Sequence, residues 1–140
     1  MIDIRIKTNR KRGQVLIEAA LVFPILLLLT FGLIEYGWLF LRMESISNAA
    51  RSGARLAVTP DTNSTEVIAA IDSRMASAGM ADSGYIITLT PSDISSLEPG
   101  EVLTVRIVVP NYADISLTGA PLIPVPDKIE RYVAMAKEGP

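Results

Sequence analysis

The chain has 140 residues, so it can form one small domain at most. It contains no cysteine and no histidine, which excludes disulfides, thiolate nucleophiles, Cys/His zinc sites and imidazole bases. The net charge of −2 conceals a split, because residues 1–13 carry +4 and the remainder carries −6. A basic end joined to an acidic body is typical of a protein that crosses a membrane. Nucleic-acid binding is not expected, because it needs basic residues on a folded face.

The first predicted element is a long apolar helix that begins at Gln14. Sixteen uncharged residues separate Glu18 from Glu35, and flanking residues extend the apolar run to Leu41, which is enough to cross a bilayer. Basic residues precede the run, so we expect the N-terminus in the cytoplasm and the body outside it. The sequence therefore predicts a basic leader over 1–13 and a transmembrane helix half over 14–41.

Three polar or helix-breaking residues interrupt this apolar run. A carboxylate such as that of Glu18 costs roughly 2.5–3.5 kcal/mol at mid-bilayer on insertion scales, so we expect it to have a partner. Pro24 removes a backbone hydrogen bond, which predicts a kink in the helix near Ala20. Glu35 lies near the outer interface, where water can hydrate it, and we assign it no role.

Helical periodicity continues over residues 42–58, which predicts a soluble half of the same helix, and Thr59-Pro60 ends it. One face is made mostly of small residues, namely Ile46, Ala49, Ala50, Gly53, Ala54 and Ala57. This face either packs on the domain's own sheet or lets neighbouring helices of an assembly approach closely. Arg51 and Arg55 lie one turn apart on another face. They are either solvated or close to phosphate, or they bridge to the acidic head or to another subunit.

Residues 59–140 predict a head domain outside the cytoplasm. Asn63 or Ser64 is the expected N-cap of a short helix over 65–78, which Gly79 ends. Three segments have strand patterns, over 85–90, 101–109 and 127–137. A proline-rich segment over 110–126 predicts an irregular loop. Because no crossover helix separates the strands, we predict an α+β fold. The outer half of the long helix covers an antiparallel sheet of three or four strands.

Four sequence blocks carry a resemblance to a known family. They are Gly13-Gln14-Val15-Leu16-Ile17-Glu18, Ala19-Ala20-Leu21-Val22-Phe23-Pro24, Gly32-Leu33-Ile34-Glu35-Tyr36-Gly37 and Ala49-Ala50-Arg51-Ser52-Gly53-Ala54-Arg55. With the helix-then-strands layout, they resemble the type IV pilin and pseudopilin superfamily. More narrowly, the chain is similar to the TadE-like minor pilins of tight-adherence (Flp-type) pili. The resemblance covers about residues 13–58.

The resemblance implies a non-enzymatic minor pilin that needs no cofactor or metal. Prepilin peptidase would cut after Gly13, and Gln14 would become the mature N-terminus. Many prepilins have phenylalanine or methionine at that position, so N-methylation is not implied. Glu18 would pair with the N-terminal amine of an adjacent subunit and set its register. Arg51, Gly53 and Arg55 are candidate partner contacts.

The resemblance also implies where the protein works and with what. It would span the bacterial inner membrane once, with its head outside the cytoplasm, and would join a pilus or secretion filament for surface adhesion. The implied partners are prepilin peptidase, other pilins and pseudopilins, the inner-membrane assembly platform and the lipid bilayer.

Other functions fit parts of the sequence. A signal-anchored binding module, neither cleaved nor polymerised, explains the length and charge of the apolar run, but it does not explain Gly13 and Glu18. A membrane-tethered hydrolase would need a carboxylate pair, and Asp114, Asp127 and Glu130 have no recognisable catalytic context. A cleavable secretory signal is disfavoured, because the apolar core is too long and no Ala-x-Ala site follows it.

Overall fold

The computed structural model describes residues 10–119, 123–137 and 139, so most of the predicted basic leader lies outside the described residues. The elements in chain order are α1 (Arg10–Ala57), α2 (Ser64–Ser77), β1 (Ile86–Thr90), β2 (Val102–Val109), a short 3₁₀ helix (Tyr112–Ile115) and β3 (Ile129–Ala136). The predicted α+β class, with a long N-terminal helix, a short second helix and an antiparallel sheet, is confirmed.

Helix α1 has 48 residues, which corresponds to about 72 Å at 1.5 Å per residue. It is continuous through Pro24, and the kink at that residue stays a prediction. Every described residue from Gly13 to Phe31 is exposed, whereas the helix contacts the head from Gly32 onward. By length and composition, this helix could span a membrane.

The outer half of α1 packs against the rest of the head through its face of small residues. The members of that face, Ile46, Ala49, Ala50, Gly53, Ala54 and Ala57, are all buried. Small side chains let the helix lie close to the sheet and to α2, so its partners can bury their larger apolar groups there. Of the two interpretations of this face, packing within the chain is the one that the structure shows.

Helix α2 begins with a capping box, because the Asn63 side chain accepts from the backbone N–H of Glu66 and the Glu66 side chain accepts from the N–H of Asn63. Gly79 follows the helix with a φ of 68°, a left-handed conformation that favours glycine. The helix runs antiparallel to α1, since Gly53 contacts Ile71 and Arg42 donates to the carbonyl of Ala78. The start of α2 therefore lies at the end of the head farthest from the exposed half of α1.

The sheet has the order β1-β2-β3, and both pairings are antiparallel. Strand β2 is central and alternates as the sequence predicts, with one set of apolar residues buried beneath the helices: Leu103, Val105, Ile107 and Val109. On the outer face, Arg106 stands opposite Thr88 on one side and Tyr132 on the other. Thus one face of the sheet forms the core and the other faces solvent.

Gly53 is a point of close approach between α1 and α2. A Cβ at this position would lie 2.5 Å from the Cδ1 and Cγ1 atoms of Ile71, a residue that is fully buried and has little room to shift. We expect Gly53→Ala to lower the free energy of unfolding by about 1–3 kcal/mol, because overpacking displaces a core side chain. Chemical denaturation of the detergent-solubilised protein, followed by circular dichroism, measures this change.

Gly37→Ala is the matched control for this prediction. No atom lies within 4 Å of a Cβ built at Gly37, which is in the same helix, so alanine should be neutral or slightly stabilising there. Combining Gly53→Ala with Ile71→Val should recover part of the loss, since valine lacks the Cδ1 methyl group. Equal stability of the Gly53→Ala and Gly37→Ala proteins would contradict the close contact.

Candidate functional site

The N-terminal end of α1 carries the predicted processing and register residues close together. Gly13, Gln14 and Glu18 lie within about one and a half turns of each other and are all exposed. Nothing lies within 4 Å of a Cβ built at Gly13, so its backbone is open on that side. Among the described residues, no cation or hydrogen-bond donor contacts the Glu18 carboxylate. The chain thus carries an acidic group on a bare apolar helix.

The exposed part of α1 matches the thickness of a membrane. The segment from Gly13 to Phe31 has nineteen residues, or about 28 Å of helix, against about 30 Å of hydrocarbon in a typical bilayer. The head begins to cover the helix at Gly32, where a Cβ would lie 3.3 Å from a methyl group of Ile123. The boundary between bare and covered helix therefore lies near Gly32, within the predicted transmembrane half over 14–41.

Glu35 differs from its sequence-based description as a hydrated interfacial residue, because its exposed fraction is only 3%. Its carboxylate accepts a hydrogen bond from the Tyr112 hydroxyl at 2.9 Å. It also accepts from the Leu117 backbone N–H at 3.4 Å and from the Thr118 hydroxyl at 3.3 Å. The expectation of hydration is wrong, because the loop after β2 closes over this part of the helix.

Two aromatic side chains of α1 hold the same loop, which we call the docked loop (residues 111–119, 123 and 124). The Trp38 Nε1–H donates to the carbonyl of Ile115 at 2.8 Å, and the Tyr36 hydroxyl donates to the carbonyl of Pro124 at 2.9 Å. The guanidinium of Arg42 lies 4.4 Å from the centre of the Trp38 ring, a cation–π contact that fixes the indole. The segment predicted as irregular is therefore anchored to α1 at several points.

Tyr112 is the buried centre of the docked loop, with an exposed fraction of 1%. Burial raises the pKa of its phenol, and the hydrogen bond to Glu35 and the charge of that carboxylate raise it further. The Tyr112 hydroxyl therefore stays protonated in the folded protein and can donate its hydrogen bond to Glu35.

The three predicted partner contacts have different environments. Arg51 and Arg55 are exposed on α1, and Arg51 forms a loose ion pair with Glu44 at 3.8 Å. Gly53 is buried against Ile71 of α2, so packing within the chain occupies it and it is closed to another subunit. The structure thus separates Gly53 from the two arginines, which are the residues of this set that face outward.

Comparison with protein-family models covers α1 alone. Residues 13–55 match the TadE-like protein family. The resemblance to TadE-like pilins of the tight-adherence pilus is therefore confirmed over that segment, which begins at Gly13 and ends at Arg55. No curated protein and no solved structure matches the chain significantly.

The TadE-like match suggests a part in tight-adherence pilus assembly and contact with other pilus components. TadE-like pilins are structural, non-enzymatic proteins, and the one long apolar helix among the described residues is consistent with a membrane anchor. The TadE-like segment includes Glu35, a residue to which the sequence alone assigned no role. The signal was present, because a second carboxylate beside a long apolar run needs a partner for the same reason as Glu18.

Proposed function

We propose that this protein is a minor pilin of a tight-adherence pilus or a related secretion filament, and that prepilin peptidase processes it. The enzyme cuts after Gly13, releases the basic leader and leaves Gln14 as the mature N-terminus. The processed chain sits in the bacterial inner membrane with its head outside the cytoplasm. It then contacts other pilins and the assembly platform as the filament forms.

The observation that carries this proposal is the start of the TadE-like match at Gly13, where the basic leader meets the apolar helix. A glycine at this point favours cleavage, because a backbone without a Cβ extends readily into a protease cleft. The exposed surface of α1 from Gly13 to Phe31 supports the proposal as well, since a helix of this length is suited to a bilayer and later to the core of a filament.

Glu18 has a physical reason to be retained under this proposal. Cleavage creates an α-amine at Gln14 with a pKa near 8, which is mostly cationic at neutral pH. A carboxylate in hydrocarbon is expensive alone, whereas the amine of an incoming subunit can neutralise it at one axial offset. The Glu18 carboxylate is free of contacts among the described residues, so it is available for such an amine.

Gly13→Ala tests the processing step. We expect the variant to retain its leader, because a Cβ at the residue before the scissile bond interferes with binding in the protease cleft. Mass spectrometry of membrane-extracted protein, from cells with an active prepilin peptidase, should show a chain that begins at Gln14 for the parent. The variant should keep an intact N-terminus.

Gly37→Ala is the control, since it makes the same change in the same helix away from the junction. It should be processed like the parent protein. A parent chain that keeps Met1 in cells with an active peptidase would contradict the proposed function and would favour an uncleaved signal-anchored module.

A further inference from the structure

A basic depression lies on the outer surface of the helix pair. Asn48, Arg51, Ser52 and Arg55 follow one another at i, i+3, i+4 and i+7 on α1, so they share a face, and Arg74 of α2 completes the depression. Its volume is about 460 Å³. Antiparallel packing brings Arg74 there, because it lies one turn after Ile71, which contacts Gly53.

The depression concentrates much of the free positive charge of the body. Three of the eight basic residues from Gln14 onward line it, although that part of the chain has a net charge of −6. Within 4 Å of these guanidinium groups, the described residues offer one carboxylate, that of Glu44 at 3.8 Å from Arg51. Three guanidinium groups together repel one another, and their fork of N–H donors suits carboxylates. The depression therefore favours an anionic occupant.

The depression is too far from the bare helix for the headgroups of the same membrane. Arg51 lies twenty residues beyond Phe31, or about 30 Å along α1, whereas headgroups extend only about 5–8 Å beyond the hydrocarbon. Even if the hydrocarbon reached Leu41, Arg51 would lie about 15 Å beyond it. Of the interpretations open from the sequence, contact with lipid phosphate is thus disfavoured, and a protein carboxylate fits better.

The same chain carries an acidic loop on a different surface. The connection between β1 and β2 contains Asp93, Glu98 and Glu101, all exposed. The Ser64 hydroxyl donates to the carbonyl of Ser92 at 2.8 Å, which fixes this loop at the start of α2, the end of the head farthest from the bare helix. Lys137 reaches the loop, but its ammonium group donates to the carbonyl of Leu97.

Asp93 is the carboxylate of this acidic loop whose charged form is favoured by local hydrogen bonds. The Ser95 hydroxyl and backbone N–H both donate to Asp93, which lowers the pKa of that carboxyl below its usual range. Glu101 accepts from the backbone N–H of Glu98, whereas no donor among the described residues contacts the Glu98 carboxylate. The loop therefore exposes the carboxylates of Asp93 and Glu98 to a neighbouring molecule.

We propose that the depression lined by Arg51, Arg55 and Arg74 binds the acidic loop of a second copy of this chain. The contact joins two different surfaces, so in a head-to-tail arrangement it can repeat from one copy to the next. Such a contact suits an open filament, and this inference rests on the filament function proposed above. It would act in the head, separately from the pairing of Glu18 in the membrane segment.

Charge reversal tests the docking in the full-length, detergent-solubilised protein. Sedimentation velocity should show self-association of the parent that weakens as salt is raised from about 50 mM to 500 mM. Added salt shortens the screening length and so weakens the attraction between the charged surfaces. Arg51→Glu with Arg55→Glu should weaken self-association by about tenfold or more, and so should Asp93→Lys with Glu98→Lys. A 1:1 mixture of the two reversed proteins should regain it, because each reversed surface then meets one of opposite charge.

Lys128→Glu is the matched control, since it reverses an exposed basic residue at the start of β3 and should leave self-association unchanged. Arg51→Gln with Arg55→Gln provides a milder pair if a reversed protein unfolds. A parent that does not self-associate, arginine variants that associate normally, or a mixture that stays dissociated would each overturn the docking. Leader removal is measured separately, so normal processing with any of these results would reject the docking alone.

Discussion

Glu18→Ala should leave leader removal intact and abolish incorporation of the protein into the filament. Alanine at this position is far enough from the junction for the protease to cut after Gly13. The variant is also cheaper to hold in the bilayer, because the buried charge is gone. The variant lacks the carboxylate that pairs with an incoming N-terminal amine. Several axial offsets between neighbouring subunits therefore become nearly equal in energy. We expect the amount of assembled subunit to fall by at least roughly tenfold, since the loss recurs at each contact.

Two measurements separate this effect from a general defect. Mass spectrometry should report a chain that begins at Gln14 in both the parent and the variant. Shearing of surface filaments, followed by immunoblotting, measures incorporation. Asp82→Ala is the control, because it removes an exposed carboxylate from the head, outside both the bare segment and the docking surfaces. Normal incorporation of the Glu18→Ala protein would show that the carboxylate does not set register.

The elements of the fold were predictable because each has a local signal. Alternation along β2 predicted a strand with one buried and one exposed face, and the turn residues around Asn63 and Gly79 marked both ends of α2. Small residues along α1 indicated a packing face. The sequence did not identify the partner of that face, because small residues favour close packing within a chain and between chains alike. Burial of Gly53 beneath Ile71 resolves this for the head.

The attachment of the docked loop was not predictable, because it depends on contacts between distant positions. Glu35 and Tyr112 are 77 residues apart, and the segment around Tyr112 has no strand or long-helix pattern. A chain segment with several prolines has few regular backbone hydrogen bonds, so its path is set by side chains elsewhere. The aromatic residues Tyr36 and Trp38 lie near the end of the apolar run, and nothing local in the sequence indicates that both donate to loop carbonyls.

The docked loop also connects the bare segment of α1 to the head. It covers α1 from Gly32 through Glu35 to Trp38, directly after the bare helix that ends at Phe31. When the bare helix inserts into a bilayer or a filament core, the docked loop would lie at a fixed distance from it in every subunit. Glu35 therefore fixes the docked loop at the position where the exposed part of α1 ends.

Glu35→Ala should detach the docked loop and lower the free energy of unfolding by about 2–4 kcal/mol. The substitution leaves the buried Tyr112 hydroxyl without its acceptor, and an unsatisfied buried donor costs about 1–3 kcal/mol. Loss of the hydrogen bonds from the exposed residues Leu117 and Thr118 adds about 1 kcal/mol. The chain has a single tryptophan, and Trp38 bonds to the loop at Ile115, so its fluorescence should report the detachment. Hydrogen exchange at Leu117 should become faster in the same protein.

Tyr112→Phe removes the shortest of the three hydrogen bonds to Glu35. It should also change how the free energy of unfolding depends on pH. The loss of stability in the double variant with Glu35→Ala should be smaller than the sum of the two single losses, because both substitutions remove the same contact.

The folded state raises the pKa of Tyr112, so it keeps the phenolic proton at a pH where the unfolded chain releases it. The contribution of this group is present below the ordinary tyrosine pKa of about 10 and is lost as the pH rises beyond it. In Tyr112→Phe that part of the alkaline loss should disappear, whereas Glu44→Ala should retain it. Equal alkaline loss in the parent and Tyr112→Phe proteins would show that the docked loop is held without this bond.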